Sequence, residues 1–212
     1  MSGRKNAGKP KASRASGSAK EPGLYPRLTS LYQRMEEAYN ASAREAGLSC
    51  AGCVTNCCTS FFQHHTYVEW SYLWRGLYAL SDPRRRELIL RAEAYMQEAR
   101  LALSLNARPT AMCPLNEDGL CVLYSHRLMI CRMHGTRNSF TLPDGSCRIF
   151  PGCARFTALP SSSDDSCPTL DRTPFYAELA ALEMEFHKRT GRHLPRVNLT
   201  LAEMIVLGPP KV

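Results

Sequence analysis

The sequence predicts a mainly α fold with one small β-hairpin, its helices packed around a cysteine-rich, irregular region. Three observations carry that prediction. Apolar residues recur at three- and four-residue steps in four separate stretches, the spacing of helices with one buried face. Phe140 to Phe150 is centred on Pro143-Asp144-Gly145, a turn sequence between two short runs that suit strands. Ten cysteines fall in 212 residues, and six of them lie where long apolar faces are scarce.

Residues 1–24 are rich in Gly, Ser, Lys and Pro and contain almost no large apolar side chain. They cannot bury enough surface to offset the entropy of ordering, so a disordered basic tail is expected. Residues 1–23 hold six basic residues and one acidic one, so they carry +5 of the net +8; the remainder holds 21 basic and 18 acidic residues. The basic excess is therefore in the tail, and nucleic-acid contact is expected only weakly and only through it.

A cysteine-cluster domain is expected over residues 25–170. Residues 27–46 form its first helix, with Leu28, Leu31, Tyr32, Met35, Tyr39 and Ala46 on one side and Gly47 as the stop. Phe61 and Phe62 anchor the chain after the first cysteines. Thr66 and Glu69 have the spacing of a capping box, opening a helix to about Leu80. Its aromatics (Tyr67, Trp70, Tyr72, Trp74) line the core or wall the cysteine site. Ser81-Asp82-Pro83 starts a third helix, whose apolar face runs from Leu88 to Leu103. Arg84, Arg85 and Arg86 sit at its N-terminal end, against the dipole, and read as a solvated face or as a contact to an acidic partner.

Residues 106–170 are loop-rich. A last clear helix starts at Thr173-Pro174 and ends at Gly191, with Phe175, Leu179, Leu182 and Phe186 as its stripe. Residues 171–212 are expected to pack on the domain as a C-terminal helix and tail. Within them Val197–Leu207 docks either as a short helix capped by Thr200 and Glu203 or as an edge strand.

The chemistry is concentrated in the cysteines. Cys50, Cys53, Cys57 and Cys58 lie within nine residues. Thiolates are soft, negative ligands suited to zinc, copper(I) and iron–sulfur clusters. Two cysteines two residues apart reach one metal across a tight turn, and Gly52 permits that turn. The adjacent pair Cys57 and Cys58 projects in two directions, so both do not serve one ion. The N-terminus has no apolar signal region, and no apolar run approaches the ~20 residues of a membrane span. A cytoplasmic chain without a membrane segment is expected, and in a reducing compartment clustered cysteines favour metal or redox chemistry over disulfides. A loop-rich segment of this kind needs such a clamp, and structural zinc supplies ~10–16 kcal/mol of folding free energy.

A second set begins at Cys113-Pro114-Leu115 and continues through Cys121-Val122-Leu123-Tyr124, Arg127 and Cys131-Arg132. Together with the first set, this resembles the YkgJ-like cysteine-cluster family, described as a zinc- or iron-chelating domain. The resemblance covers roughly Cys50 to Cys153, with Pro151-Gly152-Cys153 as its last element. Here three residues, where that family has two, separate Cys53 from Cys57, and Leu128 stands where the family has proline. The resemblance implies Cys50, Cys53, Cys57, Cys58, Cys113, Cys121 and Cys131 as metal ligands, and Cys147 and Cys153 complete the candidate set. A related cluster in flagellin lysine methylases looks like an iron–sulfur site, so the implied cofactor is zinc or iron, an iron–sulfur cluster included.

A tetrahedral site needs four ligands, so these cysteines suffice for one centre with spare thiols or two centres that share them. Arg127, Arg132 and Arg148 are candidates to compensate the negative charge. His64, His65, His126 and His134 lie near cysteines in sequence, and each reads more readily as a neighbour of the site than as a ligand. Cys167 falls outside the pattern and reads as a free thiol.

No catalytic residue is assigned. Ser60 occupies the third position of a radical-SAM Cys-x3-Cys-x2-Cys pattern, and there is no phosphate loop, dinucleotide fingerprint or Gly-x-Ser-x-Gly elbow. The function expected is a metal-binding protein holding zinc or iron through clustered thiolates. The alternative is an iron–sulfur-dependent redox or protein-modifying enzyme related to flagellin lysine methylases; a disulfide-rich interaction domain is the third reading. The metal ion is the one partner the sequence specifies, and no feature specifies a protein partner.

Overall fold

The computed structural model describes residues 23–51, 53, 57–163 and 167–211. Residues 1–22 of the tail expected over 1–24, and Gly52, lie outside the described residues, whereas Leu24 is buried as the first residue of a helix rather than part of the tail. The architecture is mainly helical, with small sheets of two and three strands.

Helix α1 spans Leu24–Glu45, α2 Tyr67–Tyr78 and α3 Asp82–Ser104. A short α4 (Met129–Met133) and a single-turn α5 (Ala154–Thr157) follow. The C-terminal region supplies α6, Thr173–Thr190, and α7, Leu201–Val206. Gly191 ends α6 at φ 63°, a left-handed turn that glycine adopts without a steric penalty. The main core joins Leu28, Leu31, Tyr32 and Met35 of α1 to Leu73 and Leu77 of α2, with Leu88 of α3 and Leu182 of α6. Burying each such side chain contributes roughly 1.5–3 kcal/mol. Among the described residues, no helix is long and apolar enough to cross a membrane.

Both expectations for the C-terminus are partly met. Thr200 and Glu203 form a reciprocal capping box on α7, while the preceding Leu199 exchanges backbone hydrogen bonds with His64 at 2.7 and 3.1 Å. The α2 aromatics are core. Trp70 and Trp74 each donate an indole N–H to the Met204 carbonyl at 2.9 Å, which clamps α7 onto α2.

The start of α2 departs from the sequence reading. The Thr66 hydroxyl does not cap the helix; it donates to the Glu69 carboxylate at 2.8 Å. The cap comes from α6 instead, where the Glu183 carboxylate accepts the Tyr67 and Val68 N–H groups, both at 2.9 Å.

Residues 106–170 contain more order than their composition suggests. Strands β1 (Asn116–Glu117) and β2 (Leu120–Cys121) pair antiparallel around Asp118-Gly119, both at positive φ. That conformation is the tight hairpin turn that Asp-Gly favours. The expected hairpin is present as β3 (Asn138–Thr141) and β4 (Cys147–Phe150), and β5 (Leu170–Asp171) adds a parallel pairing to β3. Arg84 is no solvated spectator. It and Arg91 both pair with Glu117, which fastens the β1–β2 hairpin to α3.

Candidate functional site

The two cysteine sets meet. The Cys113 N–H donates to the Cys58 carbonyl at 2.9 Å, joining the chain after α1 to the chain after α3. Around that bond lies an inner cavity of about 150 Å³ whose wall includes Cys57, Cys58, Cys113, Cys121 and Cys131. An outer cavity of about 640 Å³ is walled in part by Cys50, Cys53 and Cys153, and shares Cys57 and Cys131 with the inner one. Eight of the nine candidate ligands therefore face one connected sulfur-lined region. Cys147 does not; it is exposed on β4 and lines neither cavity. Cys167 is buried with Ala43, Leu48 and Phe156, as an inert thiol would be. Among the described residues, no disulfide joins any of the ten cysteines.

Local structure explains each placement. The Cys53 N–H donates to the Cys50 carbonyl at 3.2 Å, closing the turn between them. The β1–β2 hairpin brings Cys121 opposite Asn116. Cys131 rides on α4, whose first N–H, that of Met129, donates to the buried Glu69 carboxylate at 2.7 Å. The Tyr32 hydroxyl donates to the same carboxylate at 2.9 Å. Cys153 is held by its N–H, which donates to the Gly135 carbonyl at 2.9 Å.

The sulfurs share protons. The Cys58 thiol is held at about 2, because the Cys113 thiol, then the Cys57 thiol, donates to its thiolate; the Asn116 amide and Arg127 add smaller pulls. Cys57 and Cys113 are raised by that same donation to Cys58 and by burial. Cys131 is pushed up to about 12, chiefly by burial. Cys121 is raised for the same reason. Cys57, Cys58 and Cys113 thus titrate as one coupled set that holds a first negative charge readily and resists a second.

Of the three arginines, Arg127 lines both cavities, its guanidinium 3.9 Å above the Tyr124 ring, and Arg132 lines the outer one. Arg132 is also buried and tied down: it donates to the Arg127 and Ser125 carbonyls at 2.8 Å and stacks over Tyr32. Arg148 lines neither cavity. His64 and His134 line the inner cavity; burial lowers both, His64 to about 3, so both are neutral imidazoles. His65 turns to the Val197 carbonyl and His126 packs on Tyr72.

Sequence reasoning missed Asn116, Glu69 and Tyr39 as parts of the site. Asp118-Gly119 was the available signal for the hairpin that carries Asn116. Glu69 and Tyr39 had none, because their roles arise from contacts distant in sequence.

The donor chemistry fits a thiophilic metal. The inner wall holds five sulfurs, two neutral imidazoles and no carboxylate. Arg127 Nε is a buried donor without a hydrogen-bond partner, and the Asn116 amide is directed at the Cys58 sulfur; both suit a wall facing added negative charge. As the side chains stand, the thiols bond to one another. Among the described residues, no group of three or more His, Cys, Asp or Glu side chains is disposed to hold a metal ion. Binding would require the sulfurs to turn from each other toward the ion. Comparison with protein-family models, curated proteins and solved structures finds no match to this chain.

Proposed function

We propose that this chain is a cytoplasmic metal–thiolate protein of the YkgJ-like type, holding zinc or iron through its clustered cysteines. One observation carries the reading: cysteines from two stretches more than fifty residues apart wall a single cavity, tied by the Cys113–Cys58 backbone bond. Cys58, Cys113, Cys121 and Cys131 are the inner ligands, and Cys57 stands between the inner and outer sets. A bound zinc ion would supply a cross-link, and an iron–sulfur cluster would supply a one-electron centre. The residues contribute the rest. The thiols give up protons on loading, so affinity rises with pH. Arg127 offsets the charge that this leaves.

The outer cavity favours a second reading, an iron–sulfur enzyme that acts on a substrate beside the cluster. Its volume lies within the 300–1,000 Å³ typical of ligand pockets. Anaerobic purification with elemental analysis and a visible spectrum tests both. Colourless protein containing zinc supports the structural or metal-handling reading; brown protein containing iron and sulfide supports the second. Protein free of metal after reconstitution with zinc and with ferrous iron plus sulfide overturns both.

A further inference from the structure

We propose that the outward face of α3 is a self-association surface, on which a second copy of this chain docks antiparallel to form a two-fold symmetric dimer.

Helix α3 is apolar on two sides. Leu88, Ala92 and Ala99 are buried and face the body of the protein. At about 100° per residue, Leu90, Ala94, Gln97 and Leu101 point the opposite way, and all four are exposed. Leu105 follows them as the residue that ends the helix. Leu90 is 64%, Leu101 62% and Leu105 70% exposed, so three leucines along one helix stand in water. Scattered exposed leucines are ordinary, but a row at three- and four-residue steps is the seam of a helix pair. None of these residues lines either cysteine cavity.

The charges on the two flanks select the occupant. Arg86, Glu93 and Arg100 border the row on one side, seven residues apart; Arg91 and Glu98 border it on the other. An antiparallel second copy that sets its Leu101 against Leu90 brings Gln97 against Ala94, where the small side chain admits the longer one. The same register brings Arg100 of the second copy beside Glu93 and its Glu98 beside Arg91, and the two-fold axis makes each contact twice. A parallel copy would instead set Glu93 against Glu98 and Arg86 against Arg91, like against like. Among the described residues, the ion pairs of α3 within the chain are Arg84 with Glu87, Arg85 with Asp82, and both Arg84 and Arg91 with Glu117. Glu93, Glu98 and Arg100 take no part in them. Arg91 is already held by Glu117, so the pairing of Glu93 with Arg100 sets the register. One helix pair buries less than the roughly 1,600 Å² of a standard interface, so the dimer is a weak one that dissociates in the micromolar range.

The test is sedimentation equilibrium of the reduced, full-length protein over about 1–500 μM. The wild type should pass from monomer to dimer within that range. Leu90→Glu with Leu101→Glu, both at exposed positions, should keep the circular dichroism of the wild type and weaken the dimer by about a hundredfold or more. Glu93→Arg and Arg100→Glu should each weaken it by about tenfold, because each sets like charges together twice. An equimolar mixture of those two variants should associate as the wild type does, since the mixed dimer again joins opposite charges at both contacts. Residues 93 and 100 lie two turns apart in one chain, so no pair within a chain produces that rescue. A wild type that stays monomeric across the range overturns the proposal, whichever other partner then covers the face. So does a dimer that the leucine variant leaves intact, or a mixture that associates no better than either variant by itself.

Discussion

The Glu69 carboxylate accepts the Met129 N–H at 2.7 Å, and through that bond α2 sets the position of the helix that carries Cys131. The same side chain takes hydrogen bonds from Tyr32 and Thr66, so three donors depend on one buried acid. Replacing it with alanine leaves all three without an acceptor and should cost about 3 kcal/mol or more in urea unfolding. Glu69→Gln keeps an oxygen for Tyr32 and Met129 and should stay within about 1 kcal/mol. Burial raises the Glu69 carboxyl above its ordinary value. The folded state then binds a proton that the unfolded state has already released, so the wild type loses stability as pH rises from the ordinary carboxylate value to the raised one. Glu69→Gln should show no such loss.

Gly135 and Tyr39 make a contact too close for any side chain at position 135. Gly135→Ala meets both the Tyr39 hydroxyl and an unfavourable φ, and should destabilise by about 2–4 kcal/mol. Adding Tyr39→Phe removes the clashing oxygen and should recover part of that cost, leaving the backbone share. The coupling is read from a double-mutant cycle of denaturation midpoints.

How far the sequence revealed this molecule depends on where each signal was stored. The helices carrying Leu28, Leu73, Leu88 and Leu182 were legible because periodicity is local. The meeting of Cys58 with Cys113 was legible because thiols gather around few things. The α2 cap was not: Thr66-x-x-Glu69 has the right spacing, yet Glu69 is drawn into the core by Tyr32 and Met129, and Glu183, more than a hundred residues away, caps the helix instead. Cys147 reads as a ligand from its neighbouring cysteines in sequence, whereas β4 pairing leaves it exposed away from both cavities. Sequence proximity predicts contact poorly when a hairpin intervenes.

Glu183 makes the role of residues 171–212 testable. Its carboxylate satisfies two otherwise orphaned N–H groups of α2, so Glu183→Ala should lower stability by about 1–2 kcal/mol, and Glu183→Gln by less. Thermal denaturation of the three proteins at one pH and ionic strength checks it. An unchanged Tm in the alanine variant would mean that water replaces the cap and that α6 docks by its apolar stripe alone.

His64 gives the fold an acid-sensitive point. Burial holds its imidazole at about 3, against an ordinary value near 6.5, and its backbone is bridged to Leu199. Between those values the unfolded state binds a proton that the folded state refuses. His64 therefore costs no stability above about pH 6.5 and progressively more as pH falls toward 3. From pH 7 to pH 5 the wild type should lose about 2 kcal/mol more than His64→Gln, measured by urea unfolding at both pH values.

Cys58 is the thiol that donation from Cys113 and Cys57 keeps ionised, and this predicts the order of chemical labelling in the metal-free protein. The thiolate is the reactive form, so iodoacetamide at pH 6 should label Cys58 before Cys121 or Cys131, both raised by burial. Cys113→Ala removes the largest pull on Cys58. Its pKa then rises, so the acid limb of the labelling-rate profile, followed from pH 3 upward, should move to higher pH while the rate at pH 9 changes little. Arg127→Met removes a smaller, purely electrostatic pull and should move that limb less, with Arg127→Lys restoring most of the shift. Mass spectrometry of the first alkylated peptide reads all four proteins. Equal labelling of Cys58 and Cys121 in the wild type would show that the inner thiols do not share their protons as the hydrogen bonds imply.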